Sequence, residues 1–203
     1  MSERHPIIAI TGSSGAGTTS VMRTFDAIFR REGVKAAFVE GDAFHRYDRV
    51  EMKRKMAEEL ARGNAHVSHF GPENNLFEEL ETLFRDYAAG GGGRTRKYLH
   101  DEAEAAPYAL PPGTFTPWQD IEEGTDLLFY EGLHGAVVTE QVNVARHVDL
   151  LIGVVPIINL EWIQKLHRDR AARGYSTEAV TDTILRRMPD YGHYFTPKFG
   201  STH

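Results

Sequence analysis

Residues 6–20, PIIAITGSSGAGTTS, join a short apolar run to a glycine-rich segment. The apolar run is rich in β-branched residues and ends at a glycine, as is typical of a buried parallel strand. The segment after it matches the phosphate-loop pattern G-x-x-x-x-G-K-[ST] at Gly12, Gly17 and Thr19, but Thr18 occupies the lysine position. Glycines let such a loop turn its backbone N–H groups inward, and the following helix adds partial positive charge. The stretch therefore predicts a phosphate-binding loop.

The predicted loop would hold a nucleotide through nine consecutive residues: Gly12, Ser13, Ser14, Gly15, Ala16, Gly17, Thr18, Thr19 and Ser20. The hydroxyl of Thr19 is expected to reach Mg²⁺. Thr18 carries no charge, so the missing cation must come from elsewhere, and the segment around Lys165 is the obvious source. The alternative is a glycine-rich turn between a strand and a helix that binds nothing.

The patterning outward from this loop predicts alternating strands and helices. A first helix follows the loop to about residue 31 and is stopped by Gly33. Further helices are predicted at residues 49–62, 72–87, 160–172 and 177–187, and further strands at residues 36–40, 126–130 and 148–155. Such alternation favours an α/β fold with a doubly wound, mostly parallel sheet, in which ligands lie at the carboxyl ends of the strands.

The composition fits one domain covering residues 1–203, with 41% hydrophobic residues and a formal net charge of -6. No dense basic block appears, which argues against nucleic acid and anionic membranes as partners.

The longest apolar run, residues 150–158, is far shorter than the ~20 residues of a membrane-spanning helix. No signal peptide is expected before the first strand. Cysteine is absent, which fits a cytoplasmic protein and excludes a thiol switch.

An acidic residue, Asp42, follows the predicted second strand in the sequence EGDAFHRYDR. A carboxylate at this place can accept the proton of an attacking hydroxyl in a kinase. Nearby His45, Arg49 and Lys53 form a cluster suited to a sugar phosphate, and the last two share one helical face. The alternative role for Asp42 is to cap the following helix.

Glu131 closes the apolar strand DLLFYEG. A carboxylate at the end of such a strand can hold Mg²⁺ or its water shell next to a phosphate loop. The alternative is an ordinary strand end in solvent, but the upstream loop favours the metal role.

A cationic helix is predicted around residues 160–172, where Lys165, Arg168, Asp169 and Arg173 recur at helical spacing. Such a helix could place cations on a transferring phosphoryl group and supply the charge that Thr18 lacks. The alternative is a solvated basic helix.

A second basic stretch follows four glycines and could bind another phosphate through Arg94, Arg96, Lys97, Tyr98 and His100. His66 and His69 are interpreted as loop residues, because two histidines without further ligands make a weak metal site.

Five stretches of this sequence resemble the bacterial phosphoribulokinases, which belong to the uridine-kinase-like group of P-loop kinases. They are HPIIAITGSSGAGTT, REGVKAAFVEGDAFHRYDR, GRTRKYLHDEAEAA, LLFYEGLHGAVV and VVPIINLEWIQKLHRDRAARGYSTEAVTD. Together they are distributed from residue 5 to residue 182 and are far more specific than the phosphate-loop pattern alone. Threonine at position 18 is itself similar to the bacterial branch.

The resemblance implies a P-loop kinase fold and the conversion of ATP and ribulose 5-phosphate to ADP and ribulose 1,5-bisphosphate in the Calvin cycle. It implies that Asp42 is the general base for the C1 hydroxyl. The other implied roles are substrate contacts at His45, Arg49 and Arg173, with Lys53, Tyr98 and His100 as weaker candidates, a Mg²⁺-associated carboxylate at Glu131, and phosphoryl-binding cations at Lys165 and Arg168 supported by Asp169.

The resemblance also implies a homo-oligomer that NADH activates and AMP inhibits, with Arg31 in the effector site. Chains of the family continue past the segment KFGSTH with which this sequence ends, so the sheet is expected to lack the family's C-terminal strands.

Two other functions remain open at this point. The first is a related kinase acting on a nucleoside such as uridine or on pantothenate. Arg49, Lys53 and the RTRKY cluster argue instead for a substrate that already carries phosphate. The second is a nucleotide-binding protein that lacks turnover.

Overall fold

The protein's computed structural model describes residues 5–64 and 67–201, apart from the side chains of Ala172, Arg173, Phe195 and Ser201. The elements follow the chain in the order β1 (Ile7–Gly12), α1 (Thr18–Glu32), β2 (Ala36–Glu40), α2 (Arg49–Ala61), α3 (Phe77–Gly90), β3 (Arg94–Thr95), α4 (Glu102–Ala105), β4 (Gln119–Asp120), β5 (Leu127–Gly132), β6 (Leu150–Val154), α5 (Ile158–Arg173) and α6 (Thr177–Asp190).

A parallel sheet with the strand order β2-β5-β1-β6 lies at the centre, and β3 and β4 form a small antiparallel pair. The core is split between the two faces of the parallel sheet. Alternate residues such as Leu128 and Tyr130 face the cluster that contains α3, whereas Phe129 and Ile10 face the cluster that contains Phe29 of α1. Helices therefore cover both faces, and the predicted doubly wound, mostly parallel α/β fold is confirmed.

Local sequence explains where the helices begin and end. Gly33 ends α1 in the left-handed conformation, with φ of 69°, as the sequence predicts. Asp48 caps α2 by accepting from the backbone N–H groups of Val50 and Glu51, and its own backbone N–H donates to Glu51 Oε2. Asp48 is thus the capping acid of α2, and Asp42 is not.

The largest error in a predicted boundary is at α3, which starts at Phe77 and not at residue 72. Residues Pro72–Asn74 form a short 3₁₀ turn, and Asn75 is extended, with φ of -130° and ψ of 157°. Asn75 makes an isolated antiparallel bridge with His45. Because Asn75 takes part in this bridge, α3 begins after it, at Phe77.

All four parallel strands end at the same edge of the sheet, since Gly12, Glu40, Glu131 and Val154 lie at or next to their carboxyl ends. This edge is where ligands bind in doubly wound folds. Within the described residues, no helix has the length and hydropathy needed to cross a membrane.

Candidate active site

The loop between β1 and α1 has the backbone shape of a phosphate cradle. Gly15 and Gly17 have φ of 107° and 98°, a region that strains other residues. The Ala16 N–H donates to the Ser13 carbonyl at 3.0 Å. Helix α1 starts at Thr18, so its positive end lies at the loop. The nine predicted nucleotide-binding residues lie at the end of β1, in this loop and in the first turn of α1.

Glu131 lies beside this loop. It pairs in register with Ile10 of β1 and with Glu40 of β2. Thr18 lies close enough to the Glu131 carboxylate to lower its pKa, against the larger effect of burial. Thr18, which stands at the lysine position of the motif, is therefore buried beside Glu131, whereas Thr19 is exposed. The sequence gives no signal for this contact.

The donor set beside the loop fits Mg²⁺. This ion takes oxygen ligands and usually combines one or two carboxylates with phosphate oxygens and water. Glu131 and the hydroxyls of Thr18 and Thr19 are oxygen donors of this kind. Among the described residues, no three His, Cys, Asp or Glu side chains form a metal site. A nucleotide and water would have to complete the coordination shell.

Glu40 adds a carboxylate that the sequence interpretation missed. Desolvation, together with repulsion from Asp42, Glu104 and Glu131, raises its pKa to about 7. Burial also raises the pKa of Glu131, and Asp42 adds to that effect. The sheet edge therefore concentrates negative charge, which makes a cation there favourable.

Asp42 lies in a short 3₁₀ turn directly after β2 and is paired with His45. The His45 Nε2 atom is 3.2 Å from Asp42 Oδ1, and His100 Nε2 is 3.6 Å from Oδ2. Burial would raise the pKa of Asp42, but His45, and less strongly His100 and His69, lower it well below its usual range. The Asp42 carboxylate is therefore ionised at neutral pH, with its side chain still 38% exposed.

Three other predicted substrate residues surround this pair. Arg49, the first residue of α2, donates to the His100 carbonyl at 2.6 Å and lies over the Tyr98 ring at 5.9 Å. The Tyr98 and His100 rings are in edge contact at 4.9 Å. The structure thus brings Asp42, His45, Arg49, Tyr98 and His100 into one cluster.

Other predicted substrate residues lie elsewhere. Lys53 is exposed on α2. The Arg173 side chain lies outside the described residues. Arg96 is occupied by the protein itself, because it donates to the carbonyls of Ala43 and His45 and lies over the Phe115 ring at 3.6 Å. Arg96 therefore fixes the backbone around Asp42, and its binding of a second phosphate stays a prediction.

Helix α5 places its cations against the phosphate loop. Lys165 Nζ donates to Asp169 Oδ2 at 2.7 Å, and both side chains are buried. Arg168 donates to Asp169 Oδ1 at 2.9 Å and to Ser14 Oγ at 2.8 Å. The approach is close, since a Cβ at Gly15 would be 3.0 Å from the Lys165 Cβ.

A cleft opens between the loop and the last two helices. It is lined in part by Ser13, Ser14, Lys165 and Arg187. Burial lowers the pKa of Lys165, and the bond to Asp169 opposes that effect. Phosphate oxygens in this cleft would meet loop hydroxyls and cations from two helices.

Arg31 lies far from this edge. It is exposed in the last turn of α1, next to Glu32. About 13 residues of helix separate it from the loop, a distance of roughly 20 Å. The structure does not bring Arg31 into the cluster around Asp42.

Two residues near His45 were missed or undervalued from the sequence. Asn75 is buried and hydrogen-bonds His45 Nδ1 at 2.9 Å. The His69 ring lies 4.3 Å from the His45 ring, although the sequence suggested only a loop residue. His66 lies outside the described residues. No local pattern marks Asn75, because its partner is 30 positions away.

The chain is similar in sequence to known kinases. The phosphoribulokinase/uridine kinase family matches residues 7–203. The phosphoribulokinase of Nitrobacter vulgaris is 69% identical over 202 residues, and the chromosomal phosphoribulokinase of Cupriavidus necator is 70% identical over 203 residues. Each match covers the full chain and 70% of the relative.

Solved structures share the fold. A phosphoribulokinase from Rhodobacter spheroides superposes with a TM-score of 0.84 at 56% identity, over 98% of this chain and 68% of that one. A possible uridine kinase from Bacillus stearothermophilus has a TM-score of 0.51 at 14% identity, over 85% of each chain, and is similar in fold alone.

Proposed function

The chain belongs to the phosphoribulokinase/uridine kinase family, and we propose that it transfers the γ-phosphoryl group of ATP to the C1 hydroxyl of ribulose 5-phosphate. The products are ADP and ribulose 1,5-bisphosphate, as in the Calvin cycle. The observation that carries this proposal is the convergence at one sheet edge of a phosphate loop, an ionised carboxylate among cations, and the cationic face of α5. The chain would act as one P-loop kinase domain in the cytoplasm.

Asp42 would accept the proton of the C1 hydroxyl. Its lowered pKa makes Asp42 a weak base. The transition state of phosphoryl transfer is loose, so the reaction does not need a strong base. The main requirement is an ionised carboxylate at a fixed position, and the contact with His45 provides it. The proton moves from the hydroxyl to a carboxylate oxygen while the hydroxyl oxygen bonds to phosphorus and ADP leaves.

The cationic groups divide into two sets. Lys165 and Arg168, oriented by Asp169, would neutralise charge on the transferring phosphoryl group next to the loop. His45 and Arg49, with Tyr98 and His100, would hold the phosphate end of the sugar, and we extend this role to Lys53 and Arg173. A phosphate-bearing substrate explains cations around Asp42 better than a neutral nucleoside or pantothenate does.

Mg²⁺ would be held by Glu131 and Thr19 and would supply charge neutralisation on the nucleotide phosphates. Glu131→Gln keeps the shape of the side chain and removes the charge. We expect it to raise the Mg²⁺ concentration for half-maximal rate by about tenfold or more, since carboxylates are preferred ligands of this ion. Turnover measured against free Mg²⁺ at saturating ATP tests this, and an unchanged Mg²⁺ dependence would remove Glu131 from the metal site.

Regulation forms a further part of the proposal: a homo-oligomer, activation by NADH and inhibition by AMP, with Arg31 in the effector site. Arg31 is exposed and remote from the loop, so Arg31→Gln should weaken activation by NADH while turnover without NADH stays unchanged. The ratio of rates with and without NADH measures this effect. The same ratio in the variant and the original chain would contradict the assignment of Arg31.

The product itself tests the reaction. After incubation with MgATP and ribulose 5-phosphate, ³¹P NMR should show a second phosphomonoester resonance coupled to the C1 protons. Phosphorylation at another carbon, or release of inorganic phosphate alone, would contradict the proposal.

A further inference from the structure

The amide of Asn75 has only one possible orientation. Its Nδ2 atom donates to the carbonyls of His69 at 2.9 Å and Gly71 at 2.7 Å. Carbonyl oxygens accept and never donate, so the NH₂ group must face them. The other end of the amide, Oδ1, therefore faces His45 Nδ1 at 2.9 Å. Asn75 is 1% exposed, so water does not compete for these bonds.

This orientation determines where the protons of His45 are. An amide oxygen only accepts, so His45 Nδ1 must carry a hydrogen. The other ring nitrogen, Nε2, is 3.2 Å from the carboxylate of Asp42, which also accepts. Both ring nitrogens then donate, and a histidine with two donors is an imidazolium.

We propose that Asn75 is a positioning residue that holds His45 as an imidazolium paired with Asp42 at the candidate active site. The inference rests on the proposed function for what the pair does, but not for the protonation of His45. In that function the imidazolium keeps Asp42 ionised beside Glu40 and Glu131. It also provides a positive charge for a substrate that carries phosphate.

Other groups also surround His45, and some of them disfavour its imidazolium form. Burial lowers the pKa of His45, and Arg187 lowers it further, but Asp42 and Asn75 outweigh both, so that its pKa is raised. The His69 ring, 4.3 Å away, is neutral, because burial and the charge of His45 lower its pKa to about 3. The Tyr98 ring is 6.4 Å away, and Arg96 donates to the His45 carbonyl. Asp42 and Asn75 are thus the groups that retain the proton.

The backbone around Asn75 allows its side chain to be changed. The Arg46 N–H donates to the Asn74 carbonyl at 2.9 Å, and the Leu76 N–H donates to the Phe44 carbonyl at 2.8 Å. These bonds flank Asn75 and do not depend on its side chain. Asn74 offers a matched control, since it is equally buried and donates to the Ser68 carbonyl, away from His45.

The test that needs no turnover is ¹H–¹⁵N NMR of the histidine rings at pH 7.5, with His45 assigned by its absence in His45→Gln. In the original chain both nitrogens of His45 should have shifts typical of imidazolium. In Asn75→Leu the midpoint of the His45 titration should move to lower pH. In Asn74→Leu the imidazolium should persist. A neutral His45 in the original chain, or the same loss in Asn74→Leu, would overturn the inference.

Turnover adds a second readout. The working form of His45 is protonated, so kcat/KM for ribulose 5-phosphate falls as pH rises through its midpoint. A lower midpoint in Asn75→Leu should reduce kcat/KM at pH 8 by about 10- to 100-fold, the range expected for a hydrogen bond to a charged group. The value should recover at lower pH, and the Kd of ATP should not change. A loss that is equal at every pH would show a structural role only.

The two proposals fail in different ways. If the original chain does not phosphorylate ribulose 5-phosphate but shows the imidazolium and its dependence on Asn75, the proposed function is wrong and the role of Asn75 stands. If turnover is normal while His45 is neutral, the role of Asn75 is wrong and the proposed function stands.

Discussion

Replacing Asp42 by asparagine is expected to lower kcat by about 10²- to 10⁴-fold, the usual contribution of a positioned general base. The amide keeps the size of the side chain and its place next to His45, but it cannot take a proton from the C1 hydroxyl. In the proposed function ATP binds on the loop between β1 and α1, and Asp42 lies outside that loop. The Kd of ATP should therefore stay unchanged, as measured by calorimetry beside steady-state turnover.

Asp48→Asn is the matched control for this variant. Asp48 is the capping residue of α2, six positions along the chain, and asparagine caps helices as well as aspartate does. The control should keep nearly full turnover. Equal losses of kcat and of ATP affinity in Asp42→Asn, with the fold intact, would refute the role of Asp42 as the base.

Replacing Lys165 by methionine is expected to lower kcat by about 10²- to 10³-fold, as removal of one preorganised charge at a transition state typically does. Lys165 is buried against the phosphate loop, where a charge interacts more strongly than in water. Methionine fills the same space without the charge. Asp169 keeps Arg168 as a partner, so the variant does not leave that carboxylate alone.

Arg170→Gln removes one positive charge from the exposed face of the same helix and serves as the control. It should leave kcat within about twofold, because exposed charges are screened by solvent. Single-turnover rates at saturating ATP separate the chemical step from binding. If Lys165→Met and Arg170→Gln lowered the rate by the same factor, the effect would be one of net charge and not of position.

The sequence predicts the fold well because the relevant signals are local. Residues 36–40 are a short apolar run closed by Glu40 and form β2 with those bounds, and Gly33 ends α1 through its left-handed conformation. The strand ends then place Asp42 and Glu131 at one edge of the sheet without further information. Homology, and not spacing, links these residues to a particular substrate.

What the sequence could not reveal depends on contacts between distant positions. Asn75 is held against His45 by a backbone bridge, which also delays the start of α3 to Phe77. Arg96 reaches the carbonyls of Ala43 and His45 from more than 50 positions away. A basic residue in a loop is easily assigned to a ligand when its real partners are backbone carbonyls. Buried polar ties of this kind have no periodicity that would predict them.

The most direct test of the central claim is ADP release by the purified chain with MgATP, in parallel with ribulose 5-phosphate, uridine or pantothenate. We expect turnover that requires ribulose 5-phosphate and stays at background with the two substrates that carry no phosphate. Turnover with uridine or pantothenate, or bound ATP with no turnover on any of the three, would contradict the assignment of this chain as a ribulose 5-phosphate kinase.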